Sequence, residues 1–504
     1  MSYATSSDQS QMSAQQPSMT DSSAIPDLVR IGQIPTNTAI DIETDILDPV
    51  VHSDTFCRFQ FQNKGILHSN SKIVLRLKTS GVSGYLPVGV GIHSLIERCA
   101  LRVGTKTISE IDDFNHYIGY KSMFLSNEHQ KQRELFISGR RLAHKPAYSE
   151  SVGATDWTGT DPQLQTEAQR VTLDNGTVAD CPRATNGGTG DIDAREFVKV
   201  TNTFGPEFAV SIQDLFPFLY QNQLPLFMMK EPVTIELFFS KAIGDRICLN
   251  ATAGSIGAGQ DFLIDQTATE LVADYQYFPQ EMMEAYAAQN ANLSFTFMDY
   301  RLAKRTITQN ASGAEASSGE LILNVGGAGR LVTKVISMVS EDSVKTDSML
   351  GNYHARGMMR KYDGTAADRF NGRLTSNIKY NDHFLYPVDV DNSAQQFHNL
   401  VSAEGMVPFI YREEYNFEGQ GLANGTYEGH SLKDHDRGLA ANFFYQAYGL
   451  NRNERINSRG IELYQTYNKL ENKSVSPASF TQRNYLELIR VATLENGIMN
   501  VAFA

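Results

Sequence analysis

The chain is 504 residues long, more than one ordinary core serves, so two domains are expected. Its composition is globular, with 41% hydrophobic, 10% aromatic and 20% charged residues, and its 27 Phe and 22 Tyr suit sheets better than helical bundles. A formal net charge of −13 argues against a general nucleic-acid binder, because neutralising phosphates needs Lys and Arg.

Residues 1–24 are rich in Ser, Gln and Met and are expected to be a disordered arm that orders only on a partner. No apolar signal core is read there, and no run of 18 apolar residues that would predict a transmembrane helix. The protein is therefore expected to fold in a reducing cell interior. Residues 25–51 carry Pro26, Pro35 and Pro49 and are expected to run extended along a surface.

Alternation of period two then begins. Cys57, Phe59 and Phe61 face one way and Arg58 and Gln60 the other. Ile73, Leu75 and Leu77 oppose Val74 and Arg76. A third strand is expected at Ile96–Val103, with an edge strand at Thr105–Ile108. From Asp112 to Phe136 the spacing of Phe114, Tyr117, Ile118 and Met123, then Leu135 and Phe136, is helical. Residues 150–195 hold the single Trp157 among Gly, Thr, Asp and Asn, a length that reads as an exposed or functional loop. Strand pattern returns at Phe197–Val200, followed by a short helix or turn in Ser211–Gln221. In the next strand Val233, Ile235, Leu237 and Phe239 share a face opposite Thr234 and Glu236.

A seam follows. Leu271, Ala273, Tyr275 and Tyr277 alternate with Val272, Asp274, Gln276 and Phe278, and Pro279 ends the strand. Residues 280–290 are expected to form a linker helix with Met282, Met283, Ala285 and Tyr286 to bury. Strands are expected again at Leu293–Phe297, Leu321–Val325, Leu331–Val339, Asn377–Leu385, Asn442–Tyr448, Ile461–Tyr467, Tyr485–Val491 and Ile498–Phe503. Long loops interrupt them at 342–373 and 413–440. Each half thus shows about eight short strands without a βαβ rhythm. The expected fold is all-β: two consecutive eight-stranded jelly rolls with helical and loop insertions, the first over 52–279 (insertion about 112–195) and the second over 291–504.

Searching for chemistry yields no candidate catalytic, cofactor-binding or metal site. VGGAGR at 325–330 lacks the Lys of a phosphate-binding loop and reads as a turn. Asp434, His435 and Asp436 are neighbours whose side chains point apart. Asp389, Asp391 and Asn392 lack the Gly and Glu of a calcium loop. The cysteines Cys57, Cys99, Cys181 and Cys248 are far apart with no CxxC, and Cys57 reads as a small core residue. His116 reads as a surface or interface residue, and Phe216, Phe218, Leu219 and Tyr220 as core or subunit contact. Six N-x-[ST] sequons begin at Asn175, Asn250, Asn292, Asn310, Asn424 and Asn472. A β-sandwich carbohydrate-binding or carbohydrate-active protein is the alternative, but one Trp in the whole chain suits it poorly. A cupin-like metalloenzyme would need clustered His.

Three stretches resemble one family. LFPFLYQNQLPLFMMKEPVTIELFF (215–239) is similar to its Pro-rich turn and late strand of a first roll. LVADYQYFPQEMMEAYA (271–287) resembles its closing strand and linker helix. NYLELIRVATLENGIMNVAFA (484–504) resembles its last strands. The family is that of the double jelly-roll major capsid proteins of nucleo-cytoplasmic large DNA viruses, virophages and polinton-like viruses, in the lineage that includes adenovirus and tectivirus capsids. The resemblance implies a non-enzymatic structural subunit without cofactors. It implies a homotrimer with six rolls around its axis, a pseudo-hexameric capsomer that tiles an icosahedral shell around double-stranded DNA. Implied partners are neighbouring capsomers, penton and minor capsid or cement proteins, and an inner membrane or the genome through the arm 1–24, with no sequence-specific nucleic acid. The implied location is the virion capsid, assembled inside the host cell.

Overall fold

The structure is a computed structural model. It describes residues 40–79, 84–87, 91–122, 124, 137–138, 171–172, 178–179, 197–200, 207–239, 248–249, 262–308, 319–341, 371–390, 393–406, 445–450, 454–471 and 479–503. The arm 1–24, Trp157 and most of 150–195, Leu135 and Phe136, and the loop 413–440 lie outside the described residues.

The architecture rests on two sets of eight strands. The first set is β1 (Asp41–Leu47), β2 (Phe56–Gln60), β3 (Lys72–Thr79), β4 (Ile96–Val103), β5 (Lys106–Asp112), β6 (Glu207–Ser211), β7 (Val233–Phe239) and β8 (Glu270–Tyr277). The second is β9 (Asn292–Thr308), β10 (Gly319–Gly326), β11 (Val332–Glu341), β12 (Asn371–Tyr380), β13 (His383–Phe384), β14 (Tyr445–Gly449), β15 (Ile461–Glu471) and β16 (Ser479–Glu495), and β17 (Ile498–Phe503) ends the chain. In the first half the hydrogen-bonded order is β1-β8-β3-β6 in one sheet and β2-β7-β4-β5 in the other. In the second half it is β9-β16-β11-β14 and β10-β15-β12-β13. Adding eight to every strand number turns the first pair of sheets into the second. Antiparallel eight-stranded sandwiches of this order are jelly rolls, and the chain contains two in succession.

Local patterning explains the first roll. Cys57, Phe59 and Phe61 are buried in phase on and just after β2, as are Ile73 and Leu75 on β3. The central strand β7 departs from simple alternation. Thr234 and Glu236, on the opposite face, are buried too. Glu236 is held between Arg58 (3.5 Å) and Arg102 (2.9 Å) on the flanking strands, so a strand with neighbours on both sides hides even its polar face.

Three expectations need correction. Residues 41–47 are not a surface segment outside the sandwich: β1 pairs antiparallel with β8 from Asp41–Tyr277 to Leu47–Leu271. Its side chains are mostly exposed, so burial had imposed no alternation on its sequence. Asn377–Leu385 is not one strand. It is interrupted at Asn381 and Asp382, both at positive φ (49° and 66°), which turn the chain between the pairs Tyr380–His383 and Lys379–Phe384. Asn and Asp tolerate that conformation, and the dipeptide was a missed turn signal. Ala285, expected to be buried, is exposed, whereas Met282, Met283 and Tyr286 pack partly against Phe278, Phe227 and Ile66.

Helices fill the connections. α1 (Phe114–Ser122) follows β5 directly. α2 (Ile212–Leu215) is capped by Ser211, which accepts from Gln213 N, and α3 (Pro217–Gln221) starts on proline. The seam helix α4 (Gln280–Gln289) lies where the sequence placed it, after Pro279. α5 (Ser393–Glu404) had no counterpart in the sequence reading.

Candidate functional site at the junction of the two rolls

The two rolls are not separate beads, because one apolar cluster runs through both. It contains Phe59, Leu101 and Ile235 from the first roll together with Phe295, Phe297, Ile336 and Tyr485 from the second. The sheet β9-β16-β11-β14 is therefore covered twice. One face, with Val335, Leu486 and Leu488, meets its own partner sheet through Ile378 and Leu463. The other lies against β5, α1 and α3 of the first roll. Phe218 on α3 meets Phe297 edge-on at 5.0 Å and Phe295 at 5.9 Å, while Tyr117 on α1 lies 4.6 Å from Tyr300 and 5.8 Å from Tyr485. Such ring pairs add about 0.5–1.5 kcal/mol each beyond the area they bury.

Buried charge is set into this apolar contact. Arg490 donates to Asp299 Oδ2 (2.7 Å) and to the Ile108 carbonyl of β5 (2.7 Å), and Ser109 Oγ donates to Asp299 Oδ1 (2.9 Å). Asp299 and Ser109 are fully buried and Arg490 nearly so. Asp113, between β5 and α1, receives Arg483 Nε (2.6 Å) and Lys304 Nζ (2.8 Å), and its carbonyl accepts from the Tyr485 hydroxyl (2.8 Å). A third group centres on Glu487, which accepts from Tyr300, from Thr333 Oγ1 (2.5 Å) and from Lys334 (3.2 Å). Lys334 also meets Glu404 at the end of α5 (2.9 Å), and Glu404 accepts from Tyr120 of α1. These bonds carry directional information that apolar contact lacks, so they fix how one roll sits on the other.

The charges shape one another. Burial pushes the Asp113 carboxyl upward, but Arg483 and Lys304 more than offset this and hold it below its ordinary value. Burial likewise opposes ionisation of Glu487, and Lys334, Lys121 and the Thr333 and Tyr300 hydroxyls bring it below the usual carboxylate range. A carboxylate depressed on folding stabilises the fold above its unfolded pKa and loses that contribution as pH falls through its folded value. Stability is therefore expected to be level near neutrality and to drop below about pH 4. Urea midpoints measured against pH check this, and Glu487→Gln should flatten the acid slope while lowering stability at neutral pH.

The residues weighed from sequence fall elsewhere. Gly327–Arg330 form the expected turn between β10 and β11, with Gly326, Gly327 and Gly329 at positive φ. Asp389 accepts from Asn377 Nδ2 (3.1 Å), while Asp391, Asn392, and Asp434 to Asp436 lie outside the described residues. His116, read as a surface or interface residue, is buried in α1 with 1% exposure, so it is not at a surface. Phe216, Phe218 and Leu219 are buried, and Tyr220 is exposed. Cys57 and Cys99 are buried free thiols whose pKa values burial raises. Among the described residues no group of three or more His, Cys, Asp or Glu is placed to hold a metal ion, and no helix is long and apolar enough to cross a membrane.

Two like jelly rolls fused through one shared core define a fold class, the double jelly roll, and solved structures of that fold match along nearly the whole chain. VP54 of the virus PBCV-1, fitted into a cryo-EM reconstruction of the virophage Sputnik, matches with a TM-score of 0.53 at 11% identity, over 93% of this chain and 98% of its own. A quasi-atomic PBCV-1 virus capsid gives 0.51 at 12% identity over 93% and 98%. The major capsid protein of mavirus gives 0.50 at 10% identity over 94% and 91%. No family model and no curated protein sequence matches the chain. At such identities the shared property is the fold.

Proposed function

We propose that this chain is a major capsid protein of a double-stranded DNA virus, a non-enzymatic subunit that trimerises into pseudo-hexameric capsomers and tiles an icosahedral shell. The observation that carries the reading is the whole-length match to VP54, which covers 93% of this chain and 98% of that one. The junction supports it: a shell tile must resist bending between its halves, and a shared core laced with buried ion pairs does so. In this reading the parts of 112–195 that follow α1 and of 342–373 that precede β12, together with 413–440, form outward towers and contacts between subunits, while α1 itself is held in the junction. The arm 1–24 lies under the shell towards an inner membrane or the genome. Neighbouring capsomers, penton proteins and minor capsid or cement proteins are the partners.

Size exclusion with light scattering tests the subunit state. The purified chain is expected at three times the 56.0 kDa of one copy, with no monomer at micromolar concentration. Obligate interfaces of this kind bury about 2,000 Å² or more, which explains the expected tightness. A monodisperse monomer would overturn the reading. Electron microscopy of infected cells should then show angular particles built of hexagonal units.

A further inference from the structure

Lys334 on β11 stands between two carboxylates. Its Nζ lies 2.9 Å from Glu404 Oε1, at the end of α5, and 3.2 Å from Oε2 of Glu487, its partner across the strand pair β11–β16. The three side chains are only 10%, 6% and 4% exposed. Beside them in sequence, Leu400, Ile336 and Tyr485 belong to the shared apolar core. Glu404 Oε1 also accepts from the Tyr120 hydroxyl of α1, and its Oε2 is 3.9 Å from Lys121 Nζ. Glu487 accepts from Thr333 on Oε1 and from Tyr300 on Oε2. Lys64 offers the contrast. It too has two carboxylates, Asp45 at 2.7 Å and Glu43 at 3.3 Å, but those side chains are 21% and 55% exposed and its own is 28% exposed.

An ammonium and a carboxylate hold between them the atoms of one amide and one water. In solution the ions prevail, because both are solvated and water is abundant. A dry core reverses each term. The charges lose their solvent, the nitrogen is fixed against its target, and the water released escapes to bulk. Fixed placement of reacting groups is equivalent to an effective concentration of about 10⁵ M or more.

We propose that Lys334 and Glu404 become joined by a self-formed amide bond, with Glu487 as the proton carrier. Lys334 first gives one ammonium proton to the ionised Glu487. The freed amine then forms the new bond, from its Nζ to Cδ of Glu404. Oε1 stays as the amide carbonyl, and the Tyr120 hydroxyl already on it holds the negative charge it gathers on the way. Oε2 breaks from Cδ beside Lys121, takes a second proton from Nζ and the one lent to Glu487, and leaves as water. Nothing is oxidised or reduced and no outside reactant enters. Glu487 returns to its anion and keeps Lys121 as a cation once Lys334 is consumed. The bond closes residues 334–404 into a loop that holds β12 and β13, and it ties α5 covalently to β11. It is independent of the reading of the chain as a shell subunit.

The test weighs the purified full-length chain, denatured, by mass spectrometry. Wild type is expected to be lighter than its sequence by one water. Trypsin should fail to cut after Lys334 and should release a branched peptide that joins Lys334 to Glu404. Lys334→Arg keeps a cation but cannot form the amide, and Glu487→Gln removes the proton carrier, so both should show their full sequence mass. Lys64→Arg should still lose the water. Wild type at its full sequence mass would overturn the bond, and that reading does not depend on whether any variant folds. So would a branched peptide joining another pair, Lys64 with Asp45 or Glu43 included, or a water still lost in Lys334→Arg. A Glu487→Gln chain that forms the same branched peptide as fully as wild type would overturn the carrier's part and support the bond.

Discussion

Expressed alone, residues 40–279 will not yield a soluble, folded first roll. Separation strips the second roll from Tyr117, Tyr120 and Phe218, all buried in the whole chain, and leaves Asp113 without Arg483 and Lys304. Each large side chain returned to water forfeits about 1.5–3 kcal/mol, so the few named here already approach the whole stability of a domain. Co-expression with residues 280–504 should restore solubility, because the shared core can re-form between fragments. Near-UV circular dichroism and the soluble fraction, with and without the second fragment, decide the matter. A soluble first roll with native near-UV signal would show that the junction is dispensable. Intact chain should correspondingly unfold in a single transition rather than roll by roll.

Arg490→Met is expected to cost about 3–5 kcal/mol, read as a lower urea midpoint. The variant keeps much of the apolar stem but takes from Asp299, fully buried, the cation at 2.7 Å, leaving only Arg301 at 3.8 Å, and frees the Ile108 carbonyl. The penalty is mainly that of a poorly compensated buried charge. Adding Asp299→Leu should therefore recover a large part of it, a coupling that two independent sites would not show. Arg459→Met supplies the contrast. Arg459 pairs with Asp382 too, but the side chains are 70% and 57% exposed, and such pairs contribute about 0–1 kcal/mol. Equal losses at Arg490 and Arg459 would mean that the junction charges are not structural.

Much of the fold was legible because most strands advertise burial by alternation. Val233 to Phe239 and Ile498 to Phe503 are read from sequence with the bounds they have in the structure, and the helix after Pro279 starts where it is expected and ends one residue earlier, at Gln289. The Asn496–Gly497 turn, with both residues at positive φ, joins β16 to β17. Strand β1 escaped notice because an edge strand with most side chains in water is under no pressure to alternate. The 17-residue strands β9 and β16 were read short for a related reason. Arg483, Glu487 and Arg490 look in sequence like a solvated face, and only a second roll lying on them turns that face into an interior.

Sequence alone determined the duplication, the position of the seam and the all-β class, since these follow from which residues each strand must hide. The order of strands within each roll, the single core shared by both, and the burial of Asp113, Asp299, Glu487 and their cations were decided only in three dimensions. A charge reads the same in a sequence whether it faces water or an opposite charge. Its surroundings come from residues hundreds of positions away, as Arg483 and Asp113 stand |i−j| = 370 apart.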